Sequence, residues 1–177
     1  MRILTGKFKG YKLKVPKSHI RPTMDSIREA IFSLIRYKLE NAIVLDLFAG
    51  SGSLGIEALS EGAKICHFID NSFKSIRCIE ANINKLQINI NVKTFQSSAI
   101  NYIKRCKQNY YDIIFMDPPY KANVITEIVN VIYENNIFKS DGIVVAECRK
   151  DEDLSEIKGK IIKSKIYGDT RITLVSR

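Results

Sequence analysis

Histidine is scarce in this 177-residue chain, with only His19 and His67, and the four cysteines, Cys66, Cys78, Cys106 and Cys148, form no Cys-x-x-Cys pair. Thiols and imidazoles so few and so scattered make no metal-ligand pattern, and no metal site is expected. No apolar run approaches the roughly 18 residues that span a bilayer, and Met1 leads into Arg2-Ile3-Leu4-Thr5-Gly6-Lys7 rather than a signal-peptide stretch. A cytoplasmic protein with free thiols and no membrane partner is expected. The length suits one domain, and 45% hydrophobic residues are enough to hold a core without disulfide or metal staples.

Acidic residues are missing from the amino terminus. Arg2, Lys7, Lys9, Lys12, Lys14, Lys17 and Arg21 all precede the first acid, Asp25, in a chain of net charge +9 and pI near 9.4. A basic surface gathers phosphate ligands by long-range attraction, so the end that carries this charge is the candidate contact for a polyanion. Lys7-Phe8-Lys9-Gly10-Tyr11-Lys12-Leu13-Lys14-Val15 alternates basic with apolar residues around Gly10, which predicts a small hairpin with one cationic face. A solvated face that serves only solubility is the alternative.

From Asp25 the apolar spacing becomes helical: Ile27, Ala30, Ile31, Leu34, Ile35 and Leu39 recur at three and four, after a break and a cap candidate at Pro22-Thr23. Strand-like runs follow at 42–45, 65–69, 92–95, 113–116 and 143–146, with helical periodicity between them, clearest at Ile76, Ile79, Ile83 and Leu86. Alternating strands and helices predict an α/β fold, a mostly parallel sheet with helices on both faces. Ile161–Tyr167 and Arg171–Val175 are separated only by Gly168-Asp169-Thr170, too little for a crossover helix, so they should close the sheet as an antiparallel hairpin.

Two motifs carry chemistry. Leu45-Asp46-Leu47-Phe48-Ala49-Gly50-Ser51-Gly52-Ser53-Leu54-Gly55 stands at the carboxyl end of the first sheet strand. Its glycines permit a sharp turn and close backbone approach to a ligand, ahead of a helix amino terminus. Gly50, Gly52 and Gly55 satisfy G-x-G-x-x-G, but an acid at Asp46 beside that turn would repel a pyrophosphate and welcome a cation. S-Adenosylmethionine, with its ammonium and sulfonium and no phosphate, suits such a site. Asp70 ends the next strand, where a carboxylate can accept ribose hydroxyls in either cofactor class. The second motif is Ile113-Ile114-Phe115-Met116-Asp117-Pro118-Pro119-Tyr120. An exocyclic base amine has its lone pair delocalised into the ring. A methylating pocket must therefore hold the two N–H bonds, here by Asp117 and the Pro118 carbonyl, on a turn stiffened by Pro118 and Pro119, with Tyr120 stacked on the base.

Arg21-Pro22-Thr23, Ile27-Arg28-Glu29 with Phe32, the 45–52 loop and Met116-Asp117-Pro118-Pro119-Tyr120 together resemble successive blocks of the bacterial 16S rRNA guanine-966 N2-methyltransferases. The resemblance runs from Gly6-Lys7-Phe8-Lys9-Gly10 to Tyr167-Gly168-Asp169-Thr170. It implies the class I methyltransferase (Rossmann-like) fold, S-adenosylmethionine as cofactor, and 16S rRNA within an assembling small ribosomal subunit as partner of a monomer. By that likeness Asp46, Phe48, Ala49, Gly50 and Gly52 stand near the methionine part of the cofactor, Asp70 and Asn71 at its ribose, and Ser98 and Ala99 beside adenine. Ser98 replaces the Asp or Asn usual in relatives, and Arg171, where relatives carry a small residue, is expected to add a phosphate contact. Residues 1–40 form an RNA-binding extension that uses Arg2, Lys7, Lys9, Lys12, Arg21 and Arg28, and 41–177 form the catalytic core. The alternatives are an adenine-N6 or cytosine-N4 methyltransferase, since Asp-Pro-Pro-Tyr serves any planar amine, a nicotinamide oxidoreductase on the Gly50 loop, and a non-catalytic RNA-binding module.

Overall fold

The computed structural model describes residues 1–16, 25–119 and 124–177. After α1 (Asp25–Ile35) the chain runs β1 (Ile43–Leu47), α2 (Ser53–Ser60), β2 (Ile65–Asp70), α3 (Phe73–Leu86), β3 (Val92–Gln96), α4 (Ala99–Ile103), β4 (Tyr111–Met116), α5 (Val124–Glu134), β5 (Phe138–Arg149), β6 (Lys160–Tyr167) and β7 (Thr170–Ser176). The seven strands form one sheet in the order β3-β2-β1-β4-β5-β7-β6, parallel from β3 to β5, with β7 antiparallel to β5 and β6 antiparallel to β7. This is the expected α/β sheet with its closing hairpin, and each apolar run became a strand.

The physical reason lies in burial. β1 and β4 are almost wholly enclosed, so alternation disappears and they read as continuous Ile, Val, Leu and Phe. α1, α2 and α3 pack one face of the sheet through Ile31, Phe32, Ile56 and Ile79, while α4 and α5 pack the other through Ile103, Ile128 and Ile132. α3 shows its capping in sequence: Ser72 Oγ accepts from Ser75 N at 3.3 Å, and Gln87 ends the helix in the left-handed region at φ 56°. β6 is an exposed edge strand carrying Lys160, Lys163 and Lys165, charges that discourage pairing with another chain.

Because the chain leaves β1 towards β2 and β3 and later returns to place β4 on the other side of β1, strand order reverses between β1 and β4. Ligands of open α/β sheets bind beyond the carboxyl ends of the strands at such a reversal. Asp46 pairs in register with Phe115 and Leu47 with Met116, so the topology alone brings the glycine loop beside Asp117.

The amino-terminal hairpin differs from expectation. Arg2 bridges Lys12, with Ile3 N bonded to Tyr11 O and Leu13 N to Met1 O, so the turn occupies 5–10, with Gly10 at its end rather than at its centre. The cause is docking onto α2. Lys7 N donates to Ser60 O at 2.8 Å and Phe8 N to Ser60 Oγ at 2.9 Å, while a Cβ on Gly6 would meet Ser60 O at 1.9 Å. Alternation at 7–15 therefore marks a turn bound to the core followed by a short return segment.

Candidate active site

The loop after β1 carries three left-handed residues in alternation, Phe48 at φ 61°, Gly50 at 56° and Gly52 at 78°. For phenylalanine that conformation costs about 1–2 kcal/mol, so the surroundings must impose it. They do so by main-chain bonds: Ala49 N donates to Ile69 O at 3.0 Å, Gly52 N to Ala49 O at 2.6 Å, and Gly50 N to Asp70 Oδ2 at 2.8 Å. Gly55 is required for a different reason. A Cβ there would stand 2.3 Å from Phe68 Cε1 and 2.5 Å from Cys66 Sγ, so only glycine lets α2 lie this close to β2.

Asp46, expected at the strand mouth beside the glycine turn, is 2% exposed beneath this loop, where Oδ2 accepts from Gly55 N at 2.9 Å. It braces the start of α2. Burial pushes its carboxyl up to about 7 against the opposing Gly55 hydrogen bond, and the negative charges of Asp117 and Asp70 push it the same way. Three carboxylates thus share one electrostatic neighbourhood at the sheet's reversal point.

Asp70 is half-buried with both oxygens engaged: Oδ2 takes Gly50 N, and Oδ1 takes Ser72 N at 2.8 Å. A carboxylate oxygen has two lone pairs, so each retains one for a hydroxyl. Asn71 is exposed beside it, followed by the Phe73 ring at 60% exposure, an apolar face at the carboxyl edge that the sequence reading overlooked. Ser98 Oγ accepts from Asn101 N at 3.3 Å as the cap of α4, and Ala99 is buried behind it. Asp117 is half-buried, Pro118 buried and Pro119 exposed; Tyr120, like Arg21, lies outside the described residues.

Of the cationic candidates, Arg2, Lys7, Lys9 and Lys12 are exposed on the docked arm. Arg28 is a correction. Its side chain is fully buried, with Nη1 on Glu57 Oε2 at 3.2 Å and Nη2 on Asp25 Oδ1 at 2.8 Å and Arg2 O at 2.7 Å, so it serves structure rather than a phosphate. Arg171 likewise donates to the carbonyls of Lys150 and Glu152 and ties down the loop after β5.

Besides Phe73, two residues escaped the sequence reading. Glu57, fully buried in α2, accepts from Leu4 N at 2.9 Å, Thr5 N at 2.7 Å and Thr5 Oγ1 at 2.9 Å besides Arg28. Asn82, also fully buried, accepts from Lys14 N at 2.8 Å and donates to Lys14 O and Ser51 O, both at 3.0 Å. The signals were a lone acid among the apolar residues of α2 and an arginine in register with Phe32 and Ile35 on the buried stripe of α1. A buried charge requires a partner.

Among the described residues no helix is long and apolar enough to cross a membrane, and no group of three His, Cys, Asp or Glu is placed to hold a metal ion. The carboxylate-rich pocket fits a cationic cofactor with a ribose better than one with a pyrophosphate. Comparison with known proteins places rRNA methyltransferases among the relatives of this chain. YlbH of Bacillus subtilis is 34% identical over 182 residues, covering 100% of this chain and 99% of its own length. The ribosomal RNA small subunit methyltransferase D of Escherichia coli is 29% identical across 100% of this chain and 90% of its own length. The solved structure of Escherichia coli yhhF, described as a methyltransferase, superposes with a TM-score of 0.90 at 28% identity, covering 100% of this chain and 97% of that one. The family model described as Conserved hypothetical protein 95 matches residues 1–176, and the chain belongs to that family of S-adenosylmethionine-dependent methyltransferases.

Proposed function

We propose that this protein methylates the exocyclic N2 of guanine-966 in 16S rRNA, drawing on S-adenosylmethionine. The observation that carries the reading is the convergence of Asp46, Asp70 and Asp117 beside a glycine turn, where burial lifts Asp46 to about 7 and the other two negative charges add to the lift. Such a pocket favours positive charge and disfavours phosphate. The names of the rRNA methyltransferase relatives support the polynucleotide substrate, and the exposed lysines of the amino-terminal arm supply the charge to hold it.

When bound, S-adenosylmethionine supplies an electrophilic methyl group on a sulfonium. The chain's part is to bind, orient and shield. Asp70, with Asn71 beside it, would offer its remaining lone pairs to ribose hydroxyls, the 48–52 turn and Asp46 would hold the methionine portion, and Ser98-Ala99 would border the adenine. Asp117 and the Pro118 carbonyl accept the two N–H bonds of the guanine amine, which turns its lone pair out of conjugation. Held in this way by Asp117 and the Pro118 carbonyl, the amine nitrogen would be oriented as the nucleophile towards the methyl group that the cofactor would supply. Guanine N2 is too weak an acid to ionise first, so its proton leaves after transfer, to water or to Asp117, and no bond forms between enzyme and substrate. The base is unstacked to reach the pocket, with Tyr120 assigned to its face.

The test is transfer of labelled methyl to naked 16S rRNA and to assembled small subunits, followed by nucleoside analysis and mapping. N2-methylguanosine at position 966 is expected. N6-methyladenosine or N4-methylcytidine would reassign the ring, and no label in either substrate would defeat the reading.

A further inference from the structure

A second cleft opens on the α4 face of the sheet, below the carboxyl edge. α4 is only five residues long and leaves the β2–β3 end of that face thinly covered. The result is a cleft of about 730 Å³ running from Gln96 and Ser97 at the end of β3 to Tyr110 and Tyr111 at the start of β4. That volume lies in the range of small-molecule sites.

Its walls are aromatic. Phe95, Tyr102 and Tyr110 are half-buried on it, with Phe95 and Tyr102 centroids 5.0 Å apart and Tyr110 stacked on the His67 ring at 6.0 Å. Behind them His67 Nδ1 lies 2.8 Å from the Tyr111 hydroxyl, which is 3.0 Å from the Tyr102 hydroxyl. Burial lowers the His67 pKa and raises those of both phenols, so this cluster is neutral near pH 7. Tyr102 donating to Tyr111, and Tyr111 to Nδ1, satisfies both phenols and leaves the imidazole proton on Nε2.

The charge is all at the rim and all of one sign. Arg105 and Lys107 are exposed there, with the Lys107 ammonium 5.8 Å from the Tyr110 ring centroid, and among the described residues no carboxylate lines the cleft. Half-exposed rings over a neutral floor suit a flat heteroaromatic group, and a cationic mouth suits an anion attached to it. A cationic ligand of the kind held in aromatic cages would meet Arg105 and Lys107 first.

We propose that this cleft binds a nucleotide, its base against the Tyr102 and Tyr110 rings and its phosphate at Arg105 and Lys107. It is a site apart from the acidic pocket, and the inference does not rest on methyl transfer. Two sources share this chemistry, a nucleotide within a single RNA strand and a free mononucleotide.

The test uses histidine ring resonances, simple here because the chain has two histidines and a His19→Gln variant identifies the other. Guanosine 5′-monophosphate, inorganic phosphate and a single-stranded RNA hexamer are titrated against the whole protein saturated with S-adenosylhomocysteine. We expect the mononucleotide to shift the His67 signal saturably despite the homocysteine analogue, and Arg105→Ala with Lys107→Ala, or Tyr110→Ala alone, to weaken it tenfold or more. A hexamer at least tenfold tighter than the mononucleotide assigns the site to an RNA strand, and equal affinity assigns it to a free nucleotide. An unmoved His67 signal, displacement by S-adenosylhomocysteine, the same response to inorganic phosphate, or undiminished binding by the rim variant overturns the proposal.

Discussion

The acidic pocket at the sheet's reversal point and the cationic arm at the amino terminus both gather like charges, but in opposite surroundings. In the pocket, burial makes a few carboxylates strongly interacting: Asp46, removed from water beside two other acids, titrates near 7. On the arm, Arg2, Lys7, Lys9 and Lys12 remain in solvent, where each is screened and replaceable. In the function proposed here, chemistry is assigned to the first environment and adhesion to the second. What joins them is α2 with its neighbours: Glu57 and Ser60 hold residues 4–8, and Asn82 holds both Lys14 and Ser51 of the glycine loop. The arm is thereby registered against the pocket, as a macromolecular substrate requires if one base is to reach one reactive centre.

The sharpest way to break that comparison is to cut the link. Glu57→Ala removes the buried carboxylate from Arg28, leaving it Asp25 and the Arg2 carbonyl, and leaves two main-chain N–H groups without an acceptor; loss of one member of a buried pair costs about 3–5 kcal/mol. We expect urea unfolding to show a loss of that order, with Glu57→Gln, which keeps acceptors, losing less. An unchanged midpoint for the alanine variant would mean that the arm is held by other contacts.

Next in size is the chemistry of the pocket itself. Asp117→Ala should lower single-turnover methylation about a hundredfold to a thousandfold, the scale on which one preorganised group acts, with cofactor and RNA both saturating. Calorimetry must first show that both still bind. Turnover at the parent rate would remove Asp117 from the reaction.

The pocket and the arm should also answer pH differently. A folded-state carboxyl raised to about 7, against about 3.9 in the unfolded chain, means the native state holds the extra proton in that window, so Asp46 contributes stability at low pH that is lost as pH rises from about 4 through 7. A cationic cofactor prefers the ionised form, so its affinity should strengthen by up to about tenfold per pH unit below 7 and level off above, with a proton released on binding. Asp46→Asn should flatten that profile, which calorimetry in buffers of different ionisation enthalpy can follow. A parent profile that is already flat from pH 5.5 to 8 would show that Asp46 is not coupled to the cofactor.

How much of this was legible follows the same division. Fully buried parallel strands announce themselves as apolar runs, and the Ser72 cap and the 161–175 hairpin follow local rules, so fold and site location could be read along the chain. Asp46 could be placed at the strand end but not seen to lie under the loop, because its burial is made by α2 folding back through Gly55 and by β4 arriving from 69 residues further on at Phe115. Arg28 and the arm's turn were misread for one reason: the partners that fix them, Glu57 and Ser60, lie on a distant element, where the lone acid among apolar residues says that a partner is needed but not which one. Long-range polar contacts leave little local periodicity.

The smallest expected effect tests the arm alone. Each lysine that neutralises one phosphate contributes about 0.7–0.9 to the slope of log affinity against log salt. Over a fourfold rise in salt that amounts to roughly threefold in affinity per lysine, so Lys7→Ala with Lys9→Ala should reduce the salt sensitivity by about ninefold over the range. Both side chains are exposed on a turn whose hold on α2 is through main-chain groups of Lys7 and Phe8, so the replacements leave the docking bonds in place. Filter binding of rRNA from 50 to 200 mM salt measures the slope, and calorimetry with S-adenosylhomocysteine should give the parent affinity, because the pocket's charges are untouched. A slope equal to the parent's would leave these lysines as solubilising charge and move the RNA contact elsewhere; a weakened cofactor would show that arm and pocket are less separable than their environments imply.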